Sequence, residues 1–131
     1  MLQAQFGGEN AVDPTAEAKA AADLQQVIAA SCDTEAEACL KRRDYKKALE
    51  HYEAALKTRK ALYGTKPHVA LAETHSALGQ VHLTQQNYAA AEEHLRTAYE
   101  IYSTCLGADH ATTQQAEKAL ENVFICFSEQ S

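Results

Sequence analysis

Residues 44–56 read DYKKALEHYEAAL, and residues 87–99 read NYAAAEEHLRTAY. The two stretches align without a gap at an offset of 43 residues, and the same offset brings Gly64 onto Gly107. A fixed internal period in this range is typical of repeat proteins, in which each unit buries its apolar face against its neighbours. The sequence therefore predicts two stacked units of the same local structure.

Each unit reads as two helices, A and B. In the second unit, helix A is predicted over about Pro67–Gln86, because proline fits the first turn of a helix and apolar residues then recur at helical spacing. Helix B is predicted over about Tyr88–Leu106, with Gly107 in the position that ends a helix. The first unit repeats this pattern, with helix B over Tyr45–Tyr63 and Gly64 after it.

Further helices are predicted on both sides of these units. No helix breaker follows Pro14 until about Arg43, which predicts one long helix. The alternative is a bend near Ser31 to Thr34, where Thr34 and Glu37 would form a capping box. A last amphipathic helix is predicted over about residues 110–128. Its apolar face comprises Ala116, Leu120, Val123, Phe124 and Phe127.

The fold class that follows is all-α, with five helices in one domain. We expect a flexible tail at residues 1–13, repeat 1 at about 24–64, repeat 2 at about 67–107 and a capping helix at about 110–128, within a domain at 14–131. A chain of 131 residues has room for one core. Only 5 glycines and 2 prolines are present, which also disfavours a turn-rich β-fold.

Charge and cysteine content restrict the classes of partner and compartment. The net charge is -6, which disfavours nucleic acids and anionic membranes as partners, because both attract cationic proteins. The 4 cysteines are dispersed without a CxxC motif, as in proteins of reducing compartments. No run of apolar residues is long enough for a membrane span. We therefore expect a cytoplasmic protein.

Two motifs in the second unit resemble a known repeat family. Residues 75–82 read HSALGQVH and residues 91–98 read AEEHLRTA. They resemble the tetratricopeptide pattern W-x-x-L-G-x-x-Y followed by A-x-x-x-F-x-x-A. The period of 43 residues and the LGADH segment at 106–110 resemble the longer kinesin light chain type, although alanine follows the histidine where that type has proline. A HEAT or armadillo array has a similar period and is the alternative.

The resemblance implies a non-catalytic adaptor or assembly subunit that binds a protein segment in a groove lined by its A helices. The expected partners are therefore proteins, within a larger complex or through self-association at the Phe124/Phe127 end. The implied groove residues are Asp33, Glu37, Leu40 and Lys41 in the first unit, Glu73, Ser76, Gln80 and Leu83 in the second, and Gln115, Lys118, Asn122 and Ile125 in the last helix.

A second interpretation depends on the uneven distribution of charge. Between Lys41 and Lys66 the chain has nine lysines and arginines against three acidic residues. Such a block can hold a protein against a polar surface. The alternative function is therefore an architectural component of a cytoskeletal or ciliary assembly, docked by its convex face. Its basic surface comprises Arg42, Arg43, Lys46 and Lys47.

Catalytic and metal-binding patterns do not favour an enzyme. His75 and His82 share one helix face, but they occupy positions where the repeat has packing aromatics, and no CxxC or HxxxH spacing accompanies them. Cys32 and Cys39 are interpreted as packing residues in the same way. No glycine-rich phosphate loop, GxSxG or HExxH motif occurs. We therefore expect no catalytic activity, no cofactor and no metal.

Overall fold

The computed structural model describes residues 14–130, so the predicted flexible tail at 1–13 lies outside the described residues. In this part of the chain five helices follow one another without a strand. They are α1 (Pro14–Lys41), α2 (Tyr45–Tyr63), α3 (Val69–Thr84), α4 (Tyr88–Leu106) and α5 (Ala111–Gln130). Helix α1 pairs with α2 and α3 pairs with α4, while α5 packs against α4. The predicted all-α arrangement of two helical hairpins and a closing helix is confirmed.

The two hairpin turns have the same geometry. At the first turn, Arg43 has a φ of 62° and the Asp44 N–H donates to the Cys39 carbonyl at 2.8 Å. At the second turn, Gln86 has a φ of 64° and the next N–H bonds a carbonyl five residues back, also at 2.8 Å. A left-handed residue followed by such a bond is the Schellman ending of a helix. The repeated turn explains why both B helices begin at the predicted tyrosine.

Histidines begin the helices that follow the two B helices. The Nδ1 atom of His68 accepts the N–H of Ala70 at 3.0 Å, and Nδ1 of His110 accepts the N–H of Thr112 at 3.1 Å. A side-chain acceptor at this position satisfies one of the free N–H groups of the first turn. The prediction that Pro67 lies inside helix A was therefore wrong, since His68 caps a helix that begins at Val69 and ends at Thr84, before Gln86.

The long first helix is continuous through the region where a bend was the alternative. The Thr34 hydroxyl donates to the Ala30 carbonyl at 3.1 Å, as it does inside a helix, so the capping box with Glu37 is absent. The predicted apolar face of α5 is only partly correct, because Val123 is fully buried while Phe124 is 47% exposed. With α4 as its main neighbour, α5 has one packed side.

Small residues form the seams between the helices. Ala48, Ala55, Ala91 and Ala98 have no exposed surface, and they lie on the faces of α2 and α4 that meet the A helices. Helix axes can approach closely only where at least one side chain is small. The alanines that recur at the 43-residue offset are therefore packing sites.

The closest approach is at Gly79 in α3. A Cβ atom built on Gly79 would lie 2.6 Å from Cγ and 2.8 Å from Cδ2 of Leu95, which is itself fully buried in α4. Carbon atoms do not pack at such distances. The glycine of the repeat motif is therefore required by the neighbouring leucine.

Gly79→Ala is expected to lower the free energy of unfolding by about 1–3 kcal/mol, because the methyl group would overpack the α3–α4 hairpin more than the better helix propensity of alanine compensates. Urea denaturation measures the change. In a Leu95→Ala background, where the clashing atoms are absent, the same substitution should become neutral or stabilising. Equal losses in both backgrounds would contradict the packing explanation.

Gln86→Gly is expected to stabilise the protein by about 0.5–1 kcal/mol, because glycine adopts a φ of 64° without the steric penalty of a side chain. Gln85→Gly is the matched control, since Gln85 has a φ of -82° and glycine there should be neutral or destabilising. Thermal unfolding of the two variants checks the prediction. Destabilisation by both substitutions would show that the turn gains nothing from glycine.

Candidate functional site

Two neighbouring depressions lie on the side of the array formed by α1, α3 and α5. The first groove depression lies between α1 and α3 over α2, with a volume of about 170 Å³, and the second lies between α3 and α5 over α4, with about 190 Å³. The first is lined by Asp33, Glu37, Tyr52, Arg59, Glu73 and Thr74. The second is lined by Ser76, Gln80, Tyr102, Thr112, Gln115 and Ala116.

Half of the groove residues predicted from the sequence line these depressions. In the first depression they are Asp33, Glu37 and Glu73. In the second they are Ser76, Gln80 and Gln115. Helix α3 contributes to both depressions, so one helix wall joins them into a single continuous side of the molecule.

The other predicted groove residues lie elsewhere. Leu40 and Leu83 are half-buried and pack against core clusters, so they stabilise the array. Four more residues are exposed but line neither depression, namely Lys41, Lys118, Asn122 and Ile125. Helical spacing correctly placed these four residues on the A helices. It did not show whether each side chain is close enough to a neighbouring helix to line a depression.

Arg59, which was not predicted from the sequence, links three helices beneath the first depression. Its guanidinium donates to both carboxylate oxygens of Asp33 in α1, at 3.1 and 2.6 Å, and to the Thr74 hydroxyl in α3 at 2.6 Å. A two-point contact of this kind fixes both side chains in one orientation. Arg59 aligns with Tyr102 in the repeat, so the repeat pattern gave no signal for an arginine that bonds neighbouring helices.

Two tyrosines, also missed as site residues, lie one in each depression. Tyr52 is 6% exposed and Tyr102 is 5% exposed, and neither hydroxyl is among the buried polar atoms that lack a hydrogen bond within residues 14–130. Burial raises the pKa of the Tyr52 hydroxyl, and the charges of Glu37 and Asp33 raise it further. Burial and then the charge of Glu73 raise the pKa of Tyr102. Both hydroxyls therefore stay protonated and can donate or accept a hydrogen bond.

The two depressions differ in charge. Three carboxylates line the first, those of Asp33, Glu37 and Glu73, against the single cation of Arg59. Asp33 is already paired with Arg59, whereas Glu37 and Glu73 are exposed. The second depression is lined by neutral amide, hydroxyl and alanine side chains. The groove is thus acidic between α1 and α3 and neutral between α3 and α5.

The predicted basic surface lies at the tip of the first hairpin. Arg42 and Arg43 lie in the turn after α1, Lys46 and Lys47 lie in the first turn of α2, and all four are exposed. The Arg42 guanidinium also donates to the Cys39 sulfur at 3.4 Å. This surface lines neither groove depression.

Three histidines lie together between α3 and α4. The Nδ1 atoms of His75 and His94 lie 3.0 Å apart, and the rings of His82 and His94 are parallel with centroids 5.6 Å apart. Burial, followed by the charges of His94 and Lys60, lowers the pKa of His75 to about 4. Between residues 14 and 130, no three or more His, Cys, Asp or Glu residues are placed to hold a metal ion. The histidines pack the second hairpin.

Acidification is expected to destabilise the protein through His75. Because the pKa of His75 is about 4 in the folded protein and 6.5 ordinarily, the unfolded chain binds more protons between these pH values. The free energy of unfolding should therefore fall by up to about 3 kcal/mol as the pH is lowered through this range. Urea denaturation at several pH values measures it. His75→Asn should flatten the dependence, and an unchanged slope in this variant would contradict the assignment.

Comparison with known proteins identifies the repeat. The tetratricopeptide repeat family model matches residues 26–104, which is more than half of the chain and covers most of both hairpins. A comparison with curated protein sequences finds no significant match. None of the helices within residues 14–130 is long and apolar enough to cross a membrane. The relation to the kinesin light chain type stays a prediction. The chain belongs to the tetratricopeptide repeat family, because the family model matches most of the chain and the structure has the paired helices and buried alanines of such repeats.

Proposed function

We propose that this protein is a non-catalytic adaptor or assembly subunit that binds a segment of another protein along the two groove depressions. Tetratricopeptide repeats generally mediate contacts between proteins. The observation that carries the proposal is the pair of adjoining depressions, because three A helices line them and a buried tyrosine lies in each. Each depression alone is too small for a drug-sized molecule, whereas the pair suits successive side chains of one polypeptide.

The two ends of the array support its membership in a larger complex, including self-association. Leu24 and Val27 are 61% and 65% exposed on α1, and Phe124 and Phe127 are 47% and 44% exposed on α5. Repeat arrays expose apolar surface at their ends unless a capping element or another chain covers it. We place the protein in the cytoplasm, where reduced cysteines are expected.

An architectural role is the second candidate, and the basic surface at the tip of the first hairpin supports it. Arg42, Arg43, Lys46 and Lys47 are exposed together, away from the groove. A cluster of this kind can dock the protein on an acidic surface, such as that of a cytoskeletal or ciliary assembly. In this case substitutions in the groove would leave binding intact.

Affinity purification of the tagged full chain, followed by quantitative mass spectrometry, separates the two roles. Gln80→Arg with Gln115→Arg fills the second depression, and Gln85→Arg with Gln114→Arg is the matched control at exposed positions outside it. We expect the groove pair to remove specific partners that the control pair retains. Loss only after charge reversal of the basic surface would support the architectural role and overturn groove binding.

A further inference from the structure

We propose that a cavity on the side of the array opposite the groove binds a small carboxylate that carries an apolar body. The cavity has a volume of about 500 Å³, which lies within the range of sites for small molecules. Its lining combines apolar residues with two lysines, a glutamate and a buried histidine. None of these residues lines either groove depression, so the inference goes beyond the proposed function.

The cavity and the groove use opposite faces of α3. Leu71 and His75 lie about one turn apart on this helix and line the cavity. Glu73 and Gln80, on the same helix, line the two groove depressions. At about 100° per residue the first pair lies on nearly the opposite side of the helix from the second pair. A molecule in the cavity therefore leaves the groove open to a protein segment.

Packing within the chain forms the walls of the cavity. Helices α2 and α4 both pack on α3, and the cavity lies between them over that helix. The rings of Tyr63 and His68 stack with their centroids 3.8 Å apart, and the N–H of Lys66 donates to the Tyr63 carbonyl at 3.2 Å. These contacts hold the loop between α2 and α3 at one end of the cavity. Leu71 and Ile101 belong to a core cluster and supply apolar wall.

The charges that line the cavity favour an anion. Lys60 near the end of α2 and Lys66 in the loop line it, against the single carboxylate of Glu93 on α4. Neither lysine forms a salt bridge within residues 14–130. Burial, then the charge of His94 and then the charge of Lys60 lower the pKa of His75, so the field of this lysine reaches the interior of the cavity. The excess of one positive charge matches a carboxylate better than the nearly double charge of a phosphate monoester.

His75 supplies the buried polar group of the site. It is 8% exposed, it lines the cavity, and its Nδ1 atom lies 3.0 Å from Nδ1 of His94. Because one of these two nitrogens has to donate to the other, a proton on His94 Nδ1 leaves the proton of the neutral His75 ring on Nε2. This Nε2–H points away from His94 and can donate to a carboxylate oxygen. The buried donor, the lysine ammonium groups and the apolar wall together provide what an amphipathic carboxylate requires.

Titrations followed by nuclear magnetic resonance test the inference with defined probes. Octanoate and naphthoate are the carboxylates, and octanamide and naphthamide are their neutral counterparts, each added to the isotope-labelled full chain at neutral pH. We expect saturable shifts of the backbone amides of Leu71, His75, Thr97 and Ile101. Each carboxylate should bind about fivefold or more tightly than its amide, and less tightly at higher ionic strength. The signal of His75 Nε2 should shift with the carboxylates and not with the amides.

Substitutions of the charged residues test the preference for an anion. Lys60→Gln with Lys66→Gln should weaken carboxylate binding about fivefold or more and leave amide binding unchanged. Lys46→Gln with Lys47→Gln makes the same change of charge at exposed positions outside the cavity and should have little effect. Glu93→Gln should strengthen carboxylate binding, because it removes the negative charge that lines the cavity. All these positions are exposed, so the fold should tolerate the changes.

The outcomes separate this inference from the proposed function. Carboxylates that shift no cavity residue in a saturable way would overturn the site. Equal affinities of carboxylates and amides, or equal weakening by the two lysine pairs, would overturn the selection of an anion by the cavity. Protein partners that are insensitive to Gln80→Arg with Gln115→Arg would count against groove binding and leave the carboxylate site standing.

Discussion

The contact between Gly79 and Leu95 sets the distance between the helices of the second hairpin. The side chain of Leu95 fills the space that any side chain at position 79 would need, so it packs directly against the backbone of α3. The fully buried alanines at 48 and 91 serve the same purpose on the B helices. Close packing of this kind resists sliding or tilting of the two helices, because protein interiors are packed as densely as organic crystals. The positions of the groove residues follow from that rigidity.

The groove exists because each B helix supports two successive A helices. Helix α2 lies beneath the space between α1 and α3, and α4 lies beneath the space between α3 and α5. In the first space Arg59 bonds both flanking helices through Asp33 and Thr74, which holds the walls of the acidic depression in place. In the second space Tyr102 takes the equivalent position in the repeat and leaves a neutral surface. The two depressions therefore differ at this repeat position and also in the three carboxylates that line only the first.

Sequence periodicity predicted the helices better than the groove. Both B helices begin and end at the predicted residues, because the turn before each and the glycine after each are encoded locally. The start of α3 was misplaced, since a histidine side chain caps it and histidine is not a usual capping residue. Six of the twelve predicted groove residues line a depression. Helical spacing shows which residues lie on one face of a helix. Whether such a residue lines a depression also depends on how the neighbouring helix packs beside it.

By itself the sequence determined the repeat, the all-α hairpin architecture and the small residues at the seams, because these are recorded in the spacing of residues along one chain. Only the tertiary structure decided that Arg59 pairs with Asp33, while Glu37 and Glu73 form no salt bridge within residues 14–130. Pairing of charges and burial depend on side chains from helices far apart in sequence. The acidic character of the first depression therefore becomes visible only after folding. The sequence alone does not show it, because Arg59, which pairs with Asp33 there, belongs to the most basic segment of the chain.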